Sequence, residues 1–429
     1  MTATATEHNP ARTLDNGLRV RTVPVGSVTA AGVALHYGVG FRSDPVAYPG
    51  MAHLVEHLMF QGAGSGESDH FTWVEAMGGF CNASTRQDYT DYYTIVPSDH
   101  LDDVMSLEAR RIREPRVTEV GLRTQINVIG EEIEAKSRRP YGRFPWPLIS
   151  PVLFDAYPNA HDGYGDTGAL AEAGLSDCLD FFHRFYTPSN AVLTISGDID
   201  PERALDLAET HFGSLPALPA PDTGVAWEPV PDRLRTGTAY DPLATRPGFA
   251  LGYRAPDASL SLTPHFALSL VADILTSGPD PLLARVARER TGEPVSVSAR
   301  SGLFDFLDAR DPDMWILSAI HPEEVSGDLV LDLVDTEIRR LAEHGVHSLD
   351  LARARARRLA SFHRKTDQLG ARTRVVGRGA LLFGDGDLPR TIHRGFTEAT
   401  EQDVADAARW LTREGRALLH LSPEGKDTP

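Results

Sequence analysis

The chain has 429 residues, and its 42 Lys and Arg against 60 Asp and Glu give a formal charge of −18 at pH 7. This acidic excess argues against nucleic acid or an anionic membrane as a partner. Two cysteines, Cys81 and Cys178, exclude a disulfide framework but leave one bridge open. No apolar run approaches the roughly 20 residues that cross a bilayer, and the N-terminus lacks a basic start followed by an apolar run. We therefore expect a cytoplasmic protein.

Strand and helix signals alternate irregularly along the chain, which favours an α+β class. Strands are predicted at 28–37, 92–96 and 191–196, and helices at 118–135, 201–212, 326–344 and 400–413. Between residues 215 and 233 the sequence holds five prolines. Proline fixes φ and removes an amide donor, so this stretch is predicted to be an extended linker.

The sequence also resembles itself at an offset of 216 residues. The strand signal that opens at Gly32 returns at Gly248, and glycines recur at the same offset at positions 62 and 278. A shared spacing without a gap indicates a duplication. The prediction is an N-terminal domain over 1–218, a proline-rich linker over 219–235 and a homologous C-terminal domain over 236–429.

One segment carries residues typical of a metal site. His53 and His57 are four residues apart, so on a helix both imidazoles reach one ion, and Glu56 lies beside them, free to act on water. This order, His-x-x-Glu-His, is the inverted zincin signature. Two surface histidines next to an acid are the alternative interpretation. The apolar neighbours predict a buried helix instead, and burying these three polar groups is costly unless a metal binds them.

A third ligand is needed, and two adjacent carboxylates are available. Glu131 and Glu132 lie within the helix predicted at 118–135 and point about 100° apart, so at most one of them faces the histidine pair. Periodicity does not choose between them. A solvated helix face is the ordinary alternative for either residue.

At this point the sequence resembles a known family, the inverzincin metallopeptidases related to pitrilysin, insulin-degrading enzyme and the mitochondrial processing peptidase. The likeness to the short bacterial members covers nearly the whole chain. It is carried by residues 14–18, 50–62, 79–85, 90–93, 185–191 and 197–199. The resemblance implies two homologous α/β-sandwich domains that form a clam-shell chamber. It also implies a zinc endopeptidase with one Zn2+ per chain and a peptide as substrate.

The resemblance assigns roles to individual residues. His53, His57 and Glu132 match the zinc ligands, and Glu56 matches the general base. Asn82 and Ala83 match the edge strand that binds an extended peptide, although an ordinary turn into a strand is the alternative there.

The second domain is expected to lack this chemistry, because the offset places Ser269, Ala272 and Asp273 where the first domain has its histidines and glutamate. Arg288 matches a substrate-binding arginine of the family, with a solvated helix face as the alternative.

Two positions depart from the family pattern. Gln125 stands where many members carry a second glutamate, and Val295 stands where a tyrosine often reaches the substrate. A valine cannot donate a hydrogen bond to a developing oxyanion. Some short bacterial members work as pairs of unlike subunits, so a heterodimer with an arginine- and tyrosine-bearing partner is predicted, with a homodimer as the alternative.

The predicted function is zinc-dependent cleavage of peptides, including leader or precursor peptides. The alternative is a non-catalytic, structural or interaction subunit of a larger processing complex. The arginine-rich run from 353 to 364 is predicted to be a solvated helix face.

Overall fold

The computed structural model describes residues 10–61, 70–222 and 226–423, so Gly62 of the repeat lies outside the described residues. The described strands, β1 to β11, are Ala11–Thr13, Arg19–Pro24, Ala30–Tyr37, Phe80–Thr85, Thr90–Pro97, Ala191–Gly197, Arg235–Tyr240, Gly248–Arg254, Ser296–Ser301, Met314–Ile320 and Ala417–Ser422. The helices, α1 to α16, are Met51–Leu58, His70–Ala76, Leu101–Arg113, Glu119–Ser137, Trp146–Leu153, Tyr157–Ala160, Thr167–Ala171, Leu175–Phe185, Pro201–Phe212, Thr263–Thr276, Leu282–Thr291, Gly327–His344, Ser348–Thr366, Leu369–Leu382, Leu388–Glu398 and Glu401–Trp410.

The helices and strands predicted from periodicity are all present, with ends that differ by a few residues. The helix predicted to start at Thr400 begins one residue later, because Thr400 is its N-cap. There the Thr400 side chain accepts a hydrogen bond from the amide of Asp403, which satisfies one of the free amides of the first turn. No helix in the described ranges is both long and apolar enough to span a membrane.

Apart from the additional edge strand β1 of the first sheet, the two sheets have the same topology, which confirms the predicted α+β fold built twice. In the first sheet the order is β1-β2-β6-β3-β5-β4, and in the second it is β7-β11-β8-β10-β9. In each sheet one pair is parallel, β2 with β6 and β7 with β11, and the remaining pairs beyond it are antiparallel. The strand β3 contains Gly32 and β8 begins at Gly248, so the sequence offset of 216 relates equivalent strands.

The chain folds as two compact units whose segments are not contiguous in sequence. Of the described residues, the first unit comprises 10–61, 70–129, 163–222 and 363–389, and the second comprises 130–162, 226–362 and 390–423. Each unit thus includes a segment from the other predicted domain: α14 packs on the first sheet and α5 on the second. The domain bounds 1–218 and 236–429 stay a prediction about the duplicated sequence. The periodicity of a single helix does not indicate which sheet the helix packs on, so the sequence did not predict the positions of α5 and α14.

In the first unit the alternation of side chains along β3 separates two layers of helices. Gly32 lies under α14, where an added Cβ would come within 2.7 Å of Thr373 Oγ1. The alternate residues Val33, Leu35 and Tyr37 are buried on the opposite side of the strand, and the Tyr37 ring contacts the ring of Tyr92, on which Arg111 of α3 stacks. The sheet therefore lies between α14 on one face and the helices that include α3 on the other.

An ion pair between the buried Asp91 and the partly buried Arg374 fastens α14 to the first sheet. Arg374 NH2 donates to Asp91 Oδ1 at 2.9 Å, its Nε donates to Oδ2 of the same carboxylate, and its guanidinium stacks on Tyr93. Burial opposes ionisation of Asp91, but Arg374 and His36 outweigh it, so the pKa of Asp91 lies below its ordinary value. The carboxylate therefore remains charged inside the unit.

Replacing Arg374 is expected to destabilise the first unit strongly. Arg374→Met leaves the Asp91 carboxylate buried without its main cation, a loss of about 3–5 kcal/mol. Urea unfolding followed by circular dichroism measures it, with the exposed Arg110→Met as control. The depressed pKa means that this stabilisation is present above about pH 3.9, the unfolded value, and is lost as the pH falls through the folded value. A loss of unfolding free energy below about 1 kcal/mol for Arg374→Met at neutral pH would contradict this account.

Candidate metal centre

The helix α1 is fixed at its first turn by two features. Gly50 precedes it with a φ of 94°, a left-handed conformation, and a Cβ there would approach Gly165 Cα to 2.6 Å. The Asp44 carboxylate accepts hydrogen bonds from the amides of Gly50 at 2.6 Å and Ala52 at 2.8 Å. These contacts satisfy amides that a helix start leaves without intrahelical partners. The direction of the helix, and hence of its side chains, follows from this start.

Most of α1 is buried, as its apolar neighbours predict, and the polar residues of the motif share one region of its surface. His53 and His57 are partly buried, and Glu56 is buried at 9% exposure. The imidazole rings of the two histidines meet edge to face with 4.7 Å between their centroids. Because i and i+4 lie on one face of a helix, the sequence correctly predicts this proximity.

The hydrogen bonds of the two rings determine which nitrogen is available. His53 Nδ1 lies 3.4 Å from the carbonyl oxygen of Tyr164, and His57 Nδ1 lies 3.0 Å from Gln125 Oε1. Both acceptors are oxygens, so each Nδ1 carries the hydrogen that it donates. In the neutral rings that bind a metal, the Nε2 atoms then present the lone pairs, and these two atoms lie 3.1 Å apart. This geometry favours a cation beside both nitrogens.

A carboxylate completes the donor set. One ligand atom each from His53, His57 and Glu132 lies within 4.8 Å of the other two, and Glu131 is exposed outside this group. Of the two carboxylates that periodicity left open, the structure brings Glu132 to the histidines. Zinc–nitrogen bonds of about 2.0–2.1 Å at tetrahedral angles separate two nitrogens by about 3.3 Å. Two imidazoles and one carboxylate at this spacing fit a catalytic zinc ion.

Glu56 has a partner that the sequence did not reveal. Thr85, the last residue of β4, donates its hydroxyl hydrogen to Glu56 Oε2 at 2.6 Å. The bond orients one carboxylate oxygen and ties the helix α1 to the strand β4. Thr85 closes the 79–85 segment of the family resemblance, but neither periodicity nor spacing indicates that its side chain reaches α1. The carbonyl of Tyr164 was missed likewise, because backbone atoms leave no sequence signal.

Asn82 and Ala83 lie on β4, at the edge of the first sheet. Among the described strands β4 pairs with β5 alone, in the register Asn82 opposite Tyr93 and Ala83 opposite Tyr92. The amide of Ala83 donates to Asn82 Oδ1 at 2.8 Å. The free side of β4 is therefore open to a further strand, and one of its backbone donors is held by a side chain.

The second unit has an ion pair at the position where the first has the histidine pair of the candidate metal centre. The offset places Asp273 of α10 at the position of His57, and its carboxylate accepts from Arg357 Nε at 2.7 Å. Arg358 donates to the carbonyl oxygen of Ser269 at 3.0 Å. The prediction that residues 353–364 form only a solvated helix face is therefore wrong for Arg357 and Arg358. Because arginines bind Asp273, this residue is not available as a metal ligand in the way that His57 is in the first unit.

The remaining predicted residues of the second unit lie apart from that pair. Arg288, on α11, is exposed and its NH2 lies 3.3 Å from Asp280 Oδ1. Val295 is buried at 4% exposure, so its side chain packs in the core of the unit. The two cysteines are free and buried, so the one bridge that composition left open does not form. Burial raises the pKa of the Cys178 thiol to about 12.

The duplicated sheet and the His-x-x-Glu-His helix define a chain of the inverzincin class. Two family models match it: the insulinase (peptidase family M16) model over residues 23–144 and the peptidase M16 inactive-domain model over residues 174–358. Together they cover more than half of the chain, and the chain belongs to the peptidase M16 family.

Relatives agree with this assignment. An uncharacterized zinc protease of Mycobacterium tuberculosis is 25% identical over 421 residues, which are 96% of this chain and 93% of the relative. The zinc protease PqqE of Helicobacter pylori is 29% identical over 251 residues, 57% of this chain and 56% of that protein. The crystal structure of a protease from Helicobacter pylori has the same fold, with a TM-score of 0.86 at 21% identity, covering 97% of this chain and 99% of that one.

The bond from His57 to Gln125 is expected to support metal binding. Gln125→Leu removes the acceptor that holds the proton on Nδ1, and the loss of such a partner typically lowers metal affinity by about 10–100-fold. Competition with a coloured chelator measures the zinc affinity, and Gln125→Glu, which keeps an acceptor, is the matched variant. Equal zinc affinities of Gln125→Leu and the unmodified protein would refute a supporting role.

Proposed function

We propose that this protein is a zinc-dependent endopeptidase that cleaves extended peptides. The observation that carries the proposal is that ligand atoms of His53 and His57, on α1, and of Glu132, on α4, converge within 4.8 Å, while α1 also carries Glu56. This combination pairs a metal-binding donor set with a carboxylate suited to proton transfer. Family membership and the zinc protease names of the relatives support the same assignment.

In the proposed mechanism, zinc held by His53, His57 and Glu132 would supply the Lewis acid that polarises the scissile carbonyl and activates water. Glu56 accepts a proton from the attacking water and delivers it to the leaving amine. Thr85 donates its hydroxyl hydrogen to Glu56 Oε2 and so orients the carboxylate that transfers the proton. Gln125 and the Tyr164 carbonyl keep both imidazoles in the tautomer that a metal requires.

We propose that the substrate binds as an added strand along β4. The free side of this edge strand offers backbone donors and acceptors, which bind an extended peptide whatever its side chains. Thr85 at the end of the same strand contacts Glu56, so a peptide bound there extends toward the proposed base. An incoming peptide would replace the bond from the Ala83 amide to the Asn82 side chain.

Leader or precursor peptides are the substrate class that we favour. Addition to a sheet edge needs an unfolded segment, which such peptides provide. The charge of −18 further favours basic segments, because an acidic protein attracts cationic ligands at long range. A cytoplasmic location stays a prediction.

A pair of unlike subunits is the assembly that we propose, with a homodimer as the alternative. Its support lies in the second unit, where Val295 is buried and Arg288 lies beside Asp280. Arg288 and Val295 together therefore do not provide the substrate-binding arginine and tyrosine that the family resemblance implies. A partner subunit that supplies both would complete the substrate contacts.

The role of Glu56 is tested by Glu56→Gln. This isosteric change keeps the size of the side chain but removes the basic carboxylate, and loss of a general base lowers kcat by about 10²–10⁴-fold. Peptide cleavage is followed by mass spectrometry, and the zinc content is measured in parallel and should remain one per chain. Unchanged cleavage by a zinc-loaded Glu56→Gln protein would exclude this mechanism.

The edge-strand binding mode is tested by Ala83→Pro. Proline lacks the backbone donor at this position but is tolerated on edge strands, so KM should rise about tenfold or more while zinc content and folding persist. Ala83→Val, which keeps the amide, is the matched control. If both variants cleave with the same KM, the peptide binds elsewhere.

Metal analysis separates the proposal from the non-catalytic alternative. A catalytic chain binds one zinc ion stoichiometrically and cleaves peptides alone or after a related, arginine- and tyrosine-bearing subunit is added. Full activity alone would argue against the unlike pair. Substoichiometric zinc together with no cleavage in either case would favour a structural or interaction subunit.

A further inference from the structure

A concave site in the second unit is lined by residues other than those of the candidate metal centre. It is a cavity of about 410 Å³ between the start of β7, the helix α12 and the connection from α16 to β11. Its charged lining consists of Arg233, Arg339, Arg413, Arg416, Asp335 and Glu414. Four guanidinium groups thus face two carboxylates, an excess of positive charge in a chain whose net charge is −18.

One of the four arginines is used within the protein. Arg416 NH2 lies 2.7 Å from Asp335 Oδ2, its NH1 contacts the other carboxylate oxygen, and NH1 also donates to the Tyr253 hydroxyl at 2.7 Å. This bidentate pair neutralises Asp335 and leaves Arg416 little capacity for a further ligand. It forms a rigid wall of the cavity.

The other three arginines retain most of their donors. Arg339 donates Nε to the backbone carbonyl oxygen of Asp335 at 3.2 Å, and the guanidinium of Arg413 lies 3.8 Å from the ring centroid of Trp410. Within the described ranges none of Arg233, Arg339 and Arg413 forms an ion pair with a carboxylate. Three exposed guanidiniums from three separate segments therefore line the cavity, against Glu414 as the remaining carboxylate of its lining.

The cavity is built on a packed backbone and an apolar floor. Gly415 lies so close to Pro231 that a Cβ would collide with its carbonyl oxygen, and the amide of Arg235 donates to the Arg416 carbonyl at 2.8 Å. These contacts hold the segments that carry Arg233 and Arg413 against each other. Ile338 and Leu411, each 1% exposed, form the floor.

We propose that this cavity binds a small polyanion through Arg233, Arg339 and Arg413. Guanidinium groups present paired donors that match the oxygens of phosphate and carboxylate groups. Mutual repulsion of three like charges around one cavity is relieved when an anion binds between them. Phosphate groups and clustered carboxylates share the chemistry that this site recognises.

Titration calorimetry on the zinc-loaded full chain tests the proposal with two probes, inorganic tripolyphosphate and citrate. One probe should bind saturably at one site per chain. The double variant Arg233→Gln and Arg339→Gln should weaken that binding by about tenfold or more, because it removes two of the three cationic groups that would donate to the anion. Tighter binding of tripolyphosphate would identify a phosphate ligand, and tighter binding of citrate a carboxylate ligand.

The matched control removes the same charge from other exposed helices, with Arg203→Gln and Arg394→Gln. It should change the affinity by less than about twofold. Arg413→Gln, a second variant that leaves α12 unchanged, should weaken binding if the double variant fails to fold. No saturable binding of either probe, or equal weakening by the site variants and the control, would overturn the proposal.

Discussion

The architecture of the candidate centre depends on two imidazole nitrogens held 3.1 Å apart with their lone pairs facing the same space. Such an arrangement is repulsive by itself, since each ring carries its proton on the other nitrogen. A divalent cation between the two nitrogens removes this repulsion by binding both lone pairs. The surrounding contacts keep the two rings in the orientation that such binding requires. Gly50 and Asp44 set the start of α1, while Gln125 and the Tyr164 carbonyl orient the rings.

The two copies of the fold carry different charged and metal-binding groups on equivalent helices. In the first unit, the helix α1, which follows β3, carries His53 and His57 close to Glu132 of α4. In the second unit, the equivalent helix α10 carries Asp273, which is neutralised by Arg357 from α13. The same position of the fold therefore carries a candidate metal ligand in the first unit and an internal ion pair in the second.

Periodicity and spacing predicted the parts of the molecule that follow local rules. The offset of 216 residues anticipated two sheets of one topology, and the i, i+4 spacing anticipated that His53 and His57 meet. The choice of Glu132 over Glu131 rested on resemblance, since two adjacent helix positions differ only by the orientation of the helix in space. The contact of Thr85 with Glu56, and the packing of α5 and α14 on the sheet of the other half of the chain, could not be predicted. Both depend on packing between segments that are distant in sequence.

The central claim is that two imidazoles and one carboxylate of this chain bind a single zinc ion. X-ray absorption at the zinc edge, on the unmodified protein and on Glu132→Gln, tests it most directly. The account predicts nitrogen and oxygen neighbours at about 2.0–2.2 Å without sulfur, and weakened binding in the variant. Sulfur at about 2.3 Å, or a zinc environment that Glu132→Gln leaves unchanged, would contradict it.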